Sequence, residues 1–137
     1  MRRGLYNRRM TDGTNADPYL AKTQESLAGA ESEYTNARYN NCANRAYYAC
    51  FQAAVAALVR AGIGPSRQGR YDHDVIQAQF VGQLINRRHR YPTELRSTLD
   101  RLFALRQVAD YRTDVVSQTE ANRAIRHAHA FVQAVLQ

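Results

Sequence analysis

The sequence has no tryptophan, three prolines, two cysteines and only one lysine, Lys22, among nineteen basic residues. So few cysteines exclude a disulfide-stapled scaffold. Cys42 and Cys50 fall eight residues apart on what reads as one helix, about 12 Å along its axis and beyond disulfide reach, so they read as small core side chains. Long apolar runs are also lacking. The densest, Ala46 to Val59, includes Gln52, and none reaches the roughly 20 residues that a bilayer crossing needs. The basic first segment, MRRGLYNRRM, leads into no apolar stretch and does not read as a secretory leader. The expectation is a soluble, cytoplasmic protein with no membrane contact. His127 and His129 miss the i, i+4 spacing of a metal pair on a helix, so no metal and no cofactor are expected. No internal repeat or low-complexity tract is present.

What the sequence does have is length for one core and an excess of arginine. A chain of 137 residues fits a single domain. Its net charge of +7 and pI near 9.8 favour a polyanionic partner. Arginine matches phosphate with a bidentate fork, which suits RNA or a nucleotide; a base-composition bias of the genome would give the same preference over lysine. Charge alone does not name the partner.

Residues 1–16 mix Arg2, Arg3, Arg8 and Arg9 with turn formers and show no apolar period, which predicts a flexible basic arm before a single domain over 17–137. Asp17 and Pro18 open a first helix, with Asp17 as the cap, that carries Leu20, Thr23, Leu27, Ala30 and Tyr34 to about Ala37. A second runs from about Asn40 to Ala61 and stops at Gly62. Its alanines at 43, 46, 49, 53, 54, 56 and 57 make it slim on most sides, as suits the centre of a bundle or a dimer interface. Gly62 to Asp72 reads as a loop. The third helix carries Val75, Ile76, Phe80, Val81, Leu84 and Ile85 and ends near the basic cluster Arg87, Arg88, His89 and Arg90. Tyr91 and Pro92 break it, and Thr93 caps a fourth with the stripe Leu95, Leu99, Leu102 and Phe103. Ser117 and Glu120 have capping-box spacing and announce a fifth, with the stripe Ala121, Ala124, Ile125, Ala128, Val132, Val135 and Leu136. The fold class is therefore all-α, an up-and-down bundle of about five helices.

Two opposite charges interrupt the fourth stripe. At about 100° per residue, Arg106 projects between Leu95 and Leu99, and Asp110 between Leu99 and Phe103. An unpaired buried charge costs several kcal/mol or more, so the two are expected to pair with each other or across the bundle. Asp110 also sits near a helix C-terminus, where the macrodipole disfavours an anion. A core ion pair that fixes helix register and a functional site are both compatible with this pattern. On the second helix Asn41, Arg45, Tyr48 and Gln52 recur at spacings of four, three and four. This polar stripe faces solvent, a dimer mate, or a groove shared with Arg106 and Asp110; the groove is the favoured reading. His73 begins the third helix, either lining that groove from above or standing as a turn residue beside Asp72 and Asp74. Arg123 and His129 have an arginine, five-residue, histidine spacing, but about 120° separates them on a helix, and Arg123 with Arg126 and His127 reads as a solvated basic face.

The run Asn44, Arg45, Ala46, Tyr47, Tyr48, Ala49 (NRAYYA), then His73, Val75 and Phe80, and finally Arg106, Ala109, Asp110 and Tyr111 (RQVADY) resembles the HEPN domain, in its branch with an R-x-x-x-D-Y ending. The likeness spans about residues 18–136. It implies a helical bundle, usually dimeric, often encoded beside a minimal nucleotidyltransferase as a toxin and antitoxin pair. Many members of the family are metal-independent endoribonucleases. Their motif is arginine, four to six residues, then histidine, and the site forms where two subunits meet. Carried onto this chain, Arg106 matches the motif arginine and Tyr111 the tyrosine that follows the motif histidine in one toxin branch. The histidine itself is missing, with Asp110 near its place. RNA cleavage by its own 2′-hydroxyl needs a base near neutrality and a cation for the developing phosphorane charge; Arg106 supplies only the second, and a carboxylate is a weak base.

Three functions follow as expectations. In the first, a homodimer formed through the alanine-rich helix presents a groove of Asn41, Asn44, Arg45, Tyr48, Gln52, His73, Arg106 and Asp110 to a nucleotide, an RNA or a nucleotidyltransferase partner. In the second, the protein is an endoribonuclease in which Arg106 stabilises the transition state, Asp110 orients a group or acts as a poor base, and His73 or Tyr111 transfers a proton. In the third it is a structural helical dimer with a buried ion pair.

Overall fold

The computed structural model describes residues 15–64 and 72–137. The expected basic arm, apart from Asn15 and Ala16, and most of the expected loop between Gly62 and Asp72 lie outside the described residues. Those residues form five α-helices and no strand: α1 (Asp17–Thr35), α2 (Tyr39–Arg60), α3 (His73–Gln79), α4 (Thr98–Tyr111) and α5 (Gln118–Leu136). Helix α3 continues as a π-helical stretch, Phe80–Arg87, and a 3-10 turn, Thr93–Ser97, leads into α4. The all-α bundle read from the sequence is the fold. Among the described residues no helix is long and apolar enough to cross a membrane.

Helix α2 is the axle. It packs against all four of the other α-helices, and its alanines at 43, 46, 49, 53, 54, 56 and 57 are all buried within this one chain. Small side chains let neighbouring backbones approach from several sides, so the bundle-centre reading holds. The alanine face is spent on the chain's own core and is not free for a dimer mate, which corrects that part of the expectation. Cys42 and Cys50 are buried free thiols in the same rod. Burial, with a smaller contribution from Glu33, pushes Cys42 up to about 11, and burial alone pushes Cys50 higher still, so both stay protonated and unreactive at neutral pH.

Several helix ends differ from the sequence reading. Asp17 lies inside the first turn of α1 and does not cap it; Asn15 Oδ1 instead accepts from the Asp17 amide at 2.9 Å. The tight link into α2 places Ala37 in the left-handed region at φ 60°. Thr93 caps nothing, because the 3-10 turn intervenes. Leu95 is buried in that turn and not on α4, so the projection of Arg106 between Leu95 and Leu99 does not hold. The expected third stripe survives the π-helical stretch, with Ile76, Phe80, Leu84 and Ile85 buried. A π-helical turn takes in one extra residue, which the apolar spacing did not signal.

On α5 the expected stripe omitted its largest member. Phe131 is fully buried and packs a tilted ring against Phe80 with centroids 5.0 Å apart, whereas Leu136 is exposed. The expected capping box is present: Ser117 Oγ accepts from the Glu120 amide at 3.1 Å, and Glu120 Oε1 accepts from the Ser117 amide at 2.9 Å. Ser117→Ala should therefore cost about 1 kcal/mol. Urea unfolding of the variant checks this, and an unchanged midpoint would contradict it.

Candidate functional site

The site is built where α4 leans on α2. Tyr47 and Tyr48 come from the middle of α2, Phe103, Arg106, Asp110 and Tyr111 from the second half of α4, and His73 from the first turn of α3. Asp72 Oδ1 accepts from the Val75 amide at 3.1 Å and so caps α3, which fixes His73 at the mouth of the α2/α4 seam.

Arg106 is the centre of the cluster. Its side chain is only 14% exposed, and Nη1 donates to Tyr48 Oη at 3.0 Å and lies 3.5 Å from Asp110 Oδ2. Four rings surround the guanidinium, with centroids 5.4 Å (Tyr47), 5.5 Å (Tyr48), 5.4 Å (Phe103) and 5.9 Å (Tyr111) from its central carbon. Rings at this range attract a cation by about 0.5–2 kcal/mol each, more when water is excluded. These contacts offset part of the cost of withdrawing the charge from water. Hydrogen bonding leaves the group underused: Nε is enclosed without an acceptor, while Nη2 has no partner among the described residues and is not enclosed.

Asp110 is less enclosed than the sequence pattern implied. Its side chain is 26% exposed, and besides Arg106 it accepts from Asn44 Nδ2 at 3.0 Å. Asn44 in turn accepts on Oδ1 from Arg45 Nε at 3.0 Å and Nη2 at 2.7 Å, and the Arg45 guanidinium lies 5.2 Å from the Tyr48 ring centroid. A chain of polar contacts thus runs Arg45, Asn44, Asp110, Arg106, Tyr48. The macrodipole argument against an anion at the end of α4 is met by a cation on the same helix and an amide on the next.

The rest of the expected polar stripe goes elsewhere. Asn41 donates to Glu33 Oε1 of α1 at 3.2 Å. Gln52 lines a groove of about 460 Å3 between α1 and α2 together with Lys22, Glu25, Ser26, Arg45 and Tyr48. Neither has a hydrogen bond to Arg106 or Asp110 among the described residues. The stripe is divided between two faces: of its four members only Arg45 and Tyr48 belong to the Arg106 cluster, both also bordering the groove, and Asn44 from outside the stripe joins them. Tyr111 stands at the rim, 71% exposed, whereas Val115, 72% exposed, lines a separate groove with residues 37–41.

His73 does reach the seam, but its neighbouring acids Asp72 and Asp74 are not its partners. Its ring stacks on Phe103 with centroids 4.0 Å apart, Nε2 lies 2.9 Å from Asp100 Oδ1, and Nδ1 lies 3.0 Å from Tyr47 Oη. A carboxylate only accepts, so in the neutral ring Nε2 carries the hydrogen and the Tyr47 hydroxyl donates to Nδ1. Burial pushes the Tyr47 phenol well above its ordinary value, against the opposing influence of Arg106, so the hydroxyl stays a donor. Both ring nitrogens are occupied, and His73 holds Tyr47 and Phe103 under Arg106 without a free position for proton transfer. Tyr47→Phe would leave Nδ1 without its donor and should cost about 1–3 kcal/mol. Chemical denaturation of that variant tests the bridge; full stability would show that the bridge carries nothing.

Tyr47 and Asp100 were not among the sequence candidates. Tyr47 could have been found as the neighbour of Tyr48 on a helix whose other side is alanine; Asp100 could not, because its partner lies 27 residues away across an intervening turn. Arg123 and His129 do not meet. His129 pairs with Glu31 of α1, while Arg123 lines a groove between α4 and α5. Among the described residues no cluster of histidine, cysteine and acidic side chains could hold a metal ion.

A five-helix bundle whose central helix carries an N-R-A-Y-Y stretch against an R-x-x-x-D-Y segment defines a class, and the chain belongs to it: the HEPN domain family matches over residues 16–137. Among curated relatives, a protein of Methanocaldococcus jannaschii named "Putative toxin MJ0605" is 29% identical over 113 residues, covering 82% of this chain and 79% of the relative.

Proposed function

We propose that this HEPN-domain protein is the toxin-side component of a toxin–antitoxin pair and that its Arg106 cluster binds a phosphate-bearing ligand, RNA or a nucleotide. One observation carries the reading: a single guanidinium, mostly withdrawn from water and ringed by four aromatic side chains, keeps Nη2 open. Such a group pairs with an anionic oxygen by charge-assisted hydrogen bonds, and exposed Tyr111 beside it offers a face on which a base can stack. The name of the archaeal relative, "Putative toxin MJ0605", supports the first half of the proposal. A minimal nucleotidyltransferase, the partner that the family resemblance implies, is the antitoxin that fits it. Exposed Tyr111, whose ring centroid lies 5.9 Å from the Arg106 guanidinium, gives that partner or a second copy of the chain an apolar rim next to Arg106, and the homodimer would form there, since the alanine face is closed.

Binding is favoured over cleavage by the state of the candidate bases. Asp110 is engaged by Asn44 and Arg106, and both nitrogens of His73 are engaged by Tyr47 and Asp100. One chain then offers a cation for a transition state but no free base. The test incubates the purified protein with labelled single-stranded RNA in a chelator and follows both anisotropy and RNA length. Bound, intact RNA is the expected result. Fragments would favour the endoribonuclease reading, and neither binding nor cleavage would overturn both.

A further inference from the structure

On the side of α4 away from the Arg106 cluster, α4 and α5 leave a groove of about 310 Å3. Arg101 and Arg106 are five positions apart, which turns them about 140° from one another on the helix. Arg101 of α4 and Arg123 and His127 of α5 line the groove over the buried side chains of Leu102 and Ala124. Neither arginine has an ion pair or hydrogen bond among the described residues.

The nearby acids make no ion pair with either arginine. Glu120 also lines the groove, but its Oε1 accepts from the Ser117 amide in the α5 capping box. Asp100, next to Arg101 in sequence, accepts from His73 on another face. The charged groups around His127 are therefore Arg101 from α4 and Arg123, Arg126 and Glu120 from its own helix. Burial first, and then Arg101, Arg123 and Arg126, push the His127 imidazole below its ordinary value. With two guanidinium groups and one carboxylate in its lining, the concave surface keeps an excess of positive charge complementary to an anion, and a pair of guanidinium forks selects phosphate geometry.

We infer that the α4/α5 groove is a second, separate phosphate-binding site, in which Arg101 and Arg123 hold the phosphate oxygens and His127 donates a further hydrogen bond. The phosphate is that of a polynucleotide backbone or a free phosphate, and the probes below separate the two. Because a bound dianion or phosphodiester favours protonated His127, affinity rises as pH falls through the region below about 6.5.

The experiment follows the His127 ring signals of the full chain by NMR across pH in chloride, in inorganic phosphate and in a short oligouridylate, all at matched ionic strength. His129, held by Glu31, serves as the reference. The His127 midpoint is expected to rise by about half a pH unit or more with a bound phosphate. An effect of oligouridylate at concentrations where inorganic phosphate has none identifies the polynucleotide source; an effect of inorganic phosphate alone identifies the free ion. In Arg101→Gln/Arg123→Gln the midpoint should start higher and respond to neither probe. Arg106→Met should leave the response intact, so this site can stand even if RNA binding at Arg106 fails. Identical His127 midpoints in chloride and in both probes, or loss of the response to inorganic phosphate in Arg106→Met shown to be folded by thermal unfolding, would overturn the inference.

Discussion

Arg106→Met is expected to weaken the binding of single-stranded RNA about ten- to a hundredfold while the protein remains folded. A hydrogen bond to a charged group contributes about 1.5–3 kcal/mol, and each 1.4 kcal/mol is a factor of ten in affinity. Methionine keeps most of the side chain's volume, so the rings of Tyr47, Tyr48 and Phe103 retain a packing partner. Asp110 is not left stranded, because it is a quarter exposed and still accepts from Asn44. The substitution therefore separates binding from folding better than alanine would. Arg106→Lys keeps the charge but loses the fork, and should fall between wild type and Arg106→Met. Anisotropy titration together with thermal unfolding checks this. Equal affinity in all three proteins would remove Arg106 from the site; loss of folding in Arg106→Met would mean that the pair serves register alone.

The largest effect on stability is expected from Phe131→Ala, at about 3–5 kcal/mol. Phe131 is fully buried on α5, its ring faces Phe80 at 5.0 Å, and Phe80 in turn stacks on Tyr91 at 5.3 Å. Truncation would open a cavity where the end of α5 meets the π-helical stretch after α3. Its neighbour Phe80 is itself fully buried and stacked on Tyr91, so moving into the cavity would break that packing. Denaturant unfolding would show the lowered midpoint, and a loss under 1 kcal/mol would mean that this corner of the bundle is loosely packed.

The two cases show which features a sequence exposes. Ser117 and Glu120 were legible because a capping box is a local exchange of two hydrogen bonds at fixed spacing. The Arg106 and Asp110 pair was legible for a similar reason: one helical turn brings them together, and an apolar stripe makes their charges conspicuous. The alanines of α2 announced a central rod. Which neighbours the rod would meet was not legible, since rotating a helix by one residue changes every contact without changing its composition. Asn44 rather than Asn41 reaches Asp110 for that reason, and Gln52 turns toward α1. Phe131 was missed because a run of alanines and valines around it gave a stripe that already appeared complete. His73 was singled out, but its partners Tyr47 and Asp100 come from two other helices, and only the packed bundle brings them to either side of the ring. The π-helical stretch and the 3-10 turn left the buried set nearly unchanged, so hydrophobic spacing could not distinguish them from plain α-helix.

The proposed binding cluster lies where α4 leans on α2, within the stretch that matches the HEPN domain family. Four rings and one hydroxyl hold a guanidinium that the core would otherwise reject, and one of those rings, Tyr111, is itself 71% exposed. The most direct test is ultraviolet crosslinking of single-stranded RNA to the intact protein, followed by mass spectrometry of the modified peptides. Crosslinks at Tyr48 or Tyr111, lost in Arg106→Met, are the predicted result. Crosslinks confined to other surfaces, and unchanged in Arg106→Met, would contradict an RNA site at Arg106.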